Sequence, residues 1–305
     1  KKGFSGKSKK KRDSDIEKES PQKKEENQNG MLFIVTGIAA LTIAGLLSIM
    51  IQKRKDGKGR ALCREKRLID IHCHILPGVD DGANDLEETM EMLEMACSSG
   101  ISSIIATPHY KNRTKEETEE LKKVFQEVKK EVKKYFPNFQ LYLGNEIYYT
   151  EDTLNDLIEG RALTLAGSRY VLIEFLPSAM FSQILNAVRT LKTAGYLPIL
   201  AHIERYECLL DEKGEAYLND LKKAGAYFQV NGRTFKRKTE RKWCKKYMKN
   251  YSIDFVATDG HNRKDRTPKM NFAAGWITRK FGYKTAEKLF VTNPQKILEG
   301  RKREE

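Results

Sequence analysis

The five histidines of this chain all follow short apolar runs, and three carboxylates share that placing. His72 and His74 close the run that starts at Leu68, two residues apart, so an extended backbone turns both to one side. His109 follows the run 101–106, Glu146 follows 140–143, and Glu174 ends 170–175. His202 ends 198–202, while Asp259 and His261 follow 253–257. One such histidine is more often structural than a ligand. Five imidazoles and three carboxylates, with no thiolate among them, instead suit a hydrolytic cluster of two or more divalent ions. Glu174 adds to this, because a carboxylate in an otherwise apolar strand is costly to bury unless positive charge meets it. Arg205 comes three residues after His202 and Arg266 five after His261. Planar guanidiniums beside metal ions fit phosphoryl oxygens, so the chemistry expected is phosphate-ester hydrolysis.

The elements that must position these groups are seven strand candidates: 68–73, 101–106, 140–143, 170–175, 198–202, 227–230 and 253–257. Amphipathic helices alternate with them. One is expected over 86–98, opened by Asp85 with Glu88 three residues on, and another over 115–135, opened by Thr114 with Glu117. Gly100 and Gly195 stand where helices should stop. Repeated βα units predict parallel strands, in a barrel or an open sheet, and every candidate group then lies at the strands' C-terminal ends. No glycine-rich phosphate loop or dinucleotide fingerprint follows any strand, which argues against a nucleotide fold.

Composition narrows the classes further. The net charge of +14 is concentrated in residues 1–67, with 18 Lys+Arg against 8 Asp+Glu; the remainder is nearly balanced. No nucleic-acid motif accompanies the charge, so no nucleic-acid partner is expected. The five cysteines are scattered without C-x-x-C spacing, and none has an arginine six residues on. That excludes a cysteine-based phosphatase, and a disulfide scaffold is not expected.

Residues 1–30 are charged and polar with little to bury, and are expected to be disordered. Residues 31–51 carry no charge, and as a helix would rise about 31 Å, enough to cross a bilayer core. Residues 52–67 form a basic linker, and their lysines and arginines place residues 52–305 in the cytoplasm by the positive-inside rule. The expected protein is thus a single-pass cell-membrane protein with its 68–305 domain inside.

The run Asp70-Ile71-His72-Cys73-His74-Ile75-Leu76-Pro77-Gly78-Val79-Asp80-Asp81-Gly82-Ala83 resembles the opening of the PHP (polymerase and histidinol phosphatase) superfamily. With its Asp-Asp-Gly it is similar to the bacterial protein-tyrosine phosphatase branch found in capsule and exopolysaccharide loci. The likeness continues through Thr107-Pro108-His109-Tyr110, Gly144-Asn145-Glu146-Ile147, Glu174-Phe175, His202-Ile203-Glu204-Arg205-Tyr206 and Asp259-Gly260-His261-Asn262. Ile203 and Gly260 depart from the commoner Pro and Ala, at positions that are not ligands.

This resemblance implies an α/β fold, a distorted (β/α)7 TIM-like PHP barrel, holding two or three ions, usually Mn2+. It implies His72, His74, His109, Glu146, Glu174, His202, Asp259 and His261 as metal ligands, with Asp81 a further one and Glu174 a bridge. The implied partner is a phosphotyrosine protein, a bacterial tyrosine kinase controlling polysaccharide export. The rival readings are a histidinol-phosphate-like small-molecule phosphatase, a nuclease, and a membrane-tethered binding module without activity.

Overall fold

The computed structural model describes residues 68–249 and 253–300. The expected tail, membrane span and basic linker lie outside the described residues. Among those described, no helix is long and apolar enough to cross a membrane.

Nine strands follow one another: β1 Leu68–Cys73, β2 Ile101–Ala106, β3 His109–Tyr110, β4 Gln140–Leu143, β5 Glu146–Tyr148, β6 Tyr170–Glu174, β7 Leu197–Leu200, β8 Tyr227–Asn231 and β9 Phe255–Ala257. Their pairing is parallel throughout, in the orders β1-β2-β4 and β3-β5-β6-β7-β8-β9. The expected barrel is thus realised as a curled parallel sheet, a half-barrel in form. Its end strands approach at the C-terminal edge, where His74 N donates to Gly260 O at 2.8 Å and Asp259 N to His72 O at 2.9 Å.

β3 and β5 are the strands that periodicity misses. Each continues the strand before it past a two-residue break, Thr107-Pro108 in one case and Gly144-Asn145 in the other. Proline has no N–H to give a ladder. Asn145 fills in with its side chain, donating to Pro108 O and accepting from Leu163 N, both at 2.9 Å. These breaks shift His109 and Glu146 onto new two- and three-residue strands directly opposite each other.

The helices of seven residues or more are α1 Leu86–Ser98, α2 Lys115–Tyr135, α3 Phe181–Thr193, α4 Gly214–Ala224, α5 Lys238–Lys249, α6 Asn271–Phe281 and α7 Asn293–Glu299. α2 shows how they form. Thr114 and Glu117 complete a reciprocal capping box, and Thr118, Leu121, Phe125, Val128 and Val132 are the buried stripe. Burying Leu121 or Phe125 contributes roughly 1.5–3 kcal/mol each. α1 is capped by Asp85, whose carboxylate accepts from Glu88 N at 2.8 Å, but Glu88 reaches Asn84 rather than the cap itself. Helices cover the sheet's outer face, so β1 is buried along its whole length. That leaves the C-terminal edge as the place for polar side chains.

Candidate metal centre

β1 and the residue that follows it supply two buried imidazoles, His72 and His74, whose Nε2 atoms stand 3.2 Å apart. Behind them, His72 Nδ1 lies 3.3 Å from Gln229 Oε1 and His74 Nδ1 2.7 Å from Asp80 Oδ2. An acceptor on that side calls for the proton on Nδ1, and leaves each Nε2 lone pair aimed at the centre. Gly82 makes this fit possible, since a Cβ there would come within 2.2 Å of His74 O.

Glu146, 1% exposed, is the hub. Its Oε2 lies 3.1 Å from both His72 Nε2 and His74 Nε2 and 3.3 Å from His109 Nδ1. Its Oε1 lies 2.9 Å from His202 Nε2. Glu174 stands across the same space, 3.1 Å from His109 Nδ1 and 3.6 Å from His202 Nε2. His202 sits past the end of β7 rather than within it, at φ 32, and its backbone N–H donates to Gln229 Oε1 at 2.7 Å.

The last strand brings Asp259 and His261. Asp259 Oδ1 is 3.5 Å from His72 Nε2 and from His261 Nδ1. Asp81, largely exposed, closes the open side with Oδ1 3.3 Å from His109 Nε2 and 3.4 Å from His261 Nε2. Arg205 and Arg266 both donate to Asp259, one to each oxygen. Every residue singled out in the sequence therefore meets in one space.

Eight of the nine donors fall into three overlapping groups, each within 4.8 Å: His74, Asp81, His109, His261; His72, His74, Glu146, Asp259; and His109, Glu146, Glu174; His202 is in none of them and meets the centre at Glu146 Oε1. Glu146, not Glu174, is the carboxylate shared by two of them. This set fits divalent cations on three counts. Two imidazole Nε2 atoms face one another at 3.2 Å beside the Glu146 carboxylate, His261 Nε2 is buried with no hydrogen-bond partner, and no thiolate takes part.

The electrostatics agree. Burial alone would push His74 and His202 down, yet hydrogen bonds to Asp80 and Glu146 lift His74 to about 10, and those to Glu146 and Glu174 lift His202 to about 9. His261, buried beside His74 and Arg266, is lowered to about 3. Glu146 stays well below the usual carboxylate range despite its burial, held there by the surrounding imidazoles.

Several supporting residues escape a reading of the sequence. Gln229 and Asn231 alternate along β8 as His72 and His74 do near β1, a signal present in Tyr227-Phe228-Gln229-Val230-Asn231. Asn231 Nδ2 donates to Asp259 Oδ2 at 2.8 Å, and Gln229 Nε2 to Asn231 Oδ1 at 2.9 Å. Arg233 Nη2 stands 3.6 Å from Asp259 Oδ2; nothing in the sequence separates it from the other basic residues.

Residues 68–299 match the family model described as capsular polysaccharide synthesis, CpsB/CapC. The chain belongs to this family. The CpsB/CapC assignment bears out the PHP resemblance and is matched by individual relatives. The tyrosine-protein phosphatase CpsB of Streptococcus pneumoniae is 35% identical over 76% of this chain and 98% of its own. The tyrosine-protein phosphatase YwqE of Bacillus subtilis is 31% identical over 70% of this chain and 85% of its own. A solved structure from the work on YwqE and CpsB, described as unique metal-dependent tyrosine phosphatases, superposes with a TM-score of 0.71 at 30% identity, covering 77% of this chain and 96% of the other. The lactonase Lmo2620 of Listeria monocytogenes, at 14% identity and a TM-score of 0.51, shares the fold.

Proposed function

We propose that this protein is a metal-dependent protein-tyrosine phosphatase acting on a cytoplasmic tyrosine kinase that regulates capsular or exopolysaccharide synthesis. The observation that carries the reading is the meeting of five histidines and four carboxylates around Glu146, with two arginines at its edge. Family membership and the relatives' activity support the substrate class.

In this reading His72, His74, Asp81, His109, Glu146, Glu174, His202, Asp259 and His261 hold two or three ions, taken as Mn2+. Such ions would supply Lewis acidity, lowering the pKa of water so that hydroxide is available near neutral pH, and would draw charge from the phosphoryl oxygens. Gln229 and Asp80 fix the rings of His72 and His74 so that their Nε2 atoms stay aimed inward. Arg205 and Arg266, each partly exposed, orient the phosphoryl group and meet the charge that builds on its oxygens. A tyrosyl leaving oxygen, with a pKa of about 10, departs with less help than an alkyl alcohol needs.

Cys73, though beside both histidines, is fully buried, and burial pushes its thiol well above the ordinary value. It is no nucleophile. Residues 31–51 are proposed as one membrane span with residues 52–305 in the cytoplasm, supported by the charge-free run and the basic cluster after it.

The remaining alternative is a small-molecule phosphatase with the same centre. Turnover of a phosphotyrosine peptide against histidinol phosphate, side by side on the metal-loaded full chain, separates them. Preference for histidinol phosphate would overturn the protein-phosphatase reading and leave the metal chemistry standing.

A further inference from the structure

The loop leaving His109 borders an open cavity of about 540 Å³, lined by Asn112, Arg113, Thr114, Lys115, Glu159 and Arg161. Its charges do not balance. Arg161 is already matched, because its guanidinium donates to Asp156 and Glu159. Arg113 and Lys115 take part in no ion pair among the described residues. Arg113 Nη1 is buried with no hydrogen-bond partner. A guanidinium N–H left unpaired away from water is costly, and such groups in folded proteins call for an explanation.

The nearby carboxylates are engaged elsewhere and form no ion pair with Arg113. Asp80 already accepts from His74 Nδ1 at 2.7 Å, from His109 N at 3.0 Å and from Gly82 N at 3.0 Å. Glu117 accepts from Thr114 N at 2.8 Å in the α2 capping box. Burial draws Arg113 below its ordinary value, and the fields of Asp80, Glu117 and Tyr110 act against that. Asp80, whose field reaches Arg113, also holds the His74 ring and the His109 backbone through one oxygen. Asn112, at φ 50, makes the left-handed turn that carries the chain from His109-Tyr110 into the α2 cap.

We propose that this cavity is an anion subsite, centred on Arg113 with Lys115 at its mouth, which receives an acidic group of the substrate polypeptide near the scissile phosphotyrosine. It rests on the phosphotyrosine reading above. The ligand chemistry is an oxyanion that accepts from a planar guanidinium fork, either an Asp or Glu carboxylate or a second phosphoryl group on the same polypeptide. Its contribution is to binding, so it acts on KM.

The test uses the metal-loaded full chain and phosphotyrosine peptides that differ at one flanking residue, scanned over three positions on each side. That residue is Ala, Glu or phosphoserine. The expected result is a kcat/KM about tenfold higher for an acidic peptide than for its Ala counterpart, the size of one charge-assisted hydrogen bond. Whichever acidic residue gains more identifies the source of the oxyanion. In Arg113→Ala the acidic-to-neutral ratio should fall toward one, while Arg113→Lys should keep part of it. Should Arg113→Ala not fold, Lys115→Glu, an exposed change, should still shrink the ratio. Equal kcat/KM across the wild-type series, or a ratio unchanged in these variants, overturns the subsite alone. No turnover of any phosphotyrosine peptide overturns the substrate reading and the subsite with it.

Discussion

Arg266 Nη2 stands 2.8 Å from Asp259 Oδ1, the same oxygen that faces His72 Nε2 at 3.5 Å. A guanidinium is thereby fixed at the rim of the metal donors, with about a quarter of its surface open. Arg205 does the same at the other oxygen, where Asn231 also donates at 2.8 Å.

Replacing Arg205 or Arg266 with Ala should lower turnover of a phosphotyrosine peptide by about two to three orders of magnitude, as when one transition-state donor is removed. Metal content should persist, because the Asp259 oxygens keep Asn231 and His72 close by. Lys should rescue poorly, having charge without the planar fork. Were these only salt bridges to the buried Asp259, stability would fall, by up to about 3–5 kcal/mol, while turnover per folded molecule would stay near normal. Turnover at saturating metal, beside metal content by mass spectrometry, decides between the two.

Metal binding should release protons. With His74 raised to about 10 and His202 to about 9, both rings are protonated at neutral pH in the metal-free protein, yet only neutral imidazole binds a metal. Apparent affinity should therefore climb from pH 6.5 to 9. The stability of the metal-free fold runs the other way. Raised folded pKa values give stability that is complete below the ordinary 6.5 and is lost as pH rises through 9 and 10. His261, lowered to about 3, adds stability only as pH rises to 6.5. Indicator-dye proton release on adding Mn2+, with melting curves of the metal-free protein from pH 6 to 10, tests both. Metal uptake without proton release would contradict the charge state given to the site.

Protease added to intact protoplasts should leave the 68–305 domain whole if residues 31–51 cross the membrane in the proposed sense. Digestion of that domain from outside would reverse the topology.

Thiol reagents should spare the enzyme. Cys73 is inaccessible, its Sγ 3.5 Å from Gly260 O. Cys73→Ser should keep most of the turnover; complete loss of activity with metals still bound would sink the metal-hydrolytic reading.

Much of this site could be read from the sequence because histidines in apolar runs are costly without a purpose, and all five follow the strands. The strand spans 68–73, 101–106 and 140–143 and the helix spans 86–98 and 115–135 coincide with the structure, since each has a clear period and a marked end. β3 and β5 had no such period, being two and three residues long after breaks at Pro108 and Asn145. The supporting residues were legible unevenly. Gln229 and Asn231 repeat the two-residue spacing of the histidines, whereas Asp80 and Arg233 gain their roles only where loops distant in sequence meet. Glu146 stands in two of the donor groups because the break at Gly144-Asn145 starts a new short strand there, between β3 and β6.

Phosphate release shows whether the histidine-carboxylate centre hydrolyses phosphotyrosine by metal chemistry. The full chain is assayed on a phosphotyrosine peptide as isolated, after chelation, and after each divalent metal is restored singly. Activity should be lost on chelation and return with added metal, most fully with Mn2+. Undiminished phosphate release from protein shown by mass spectrometry to be free of metal would contradict the metal chemistry.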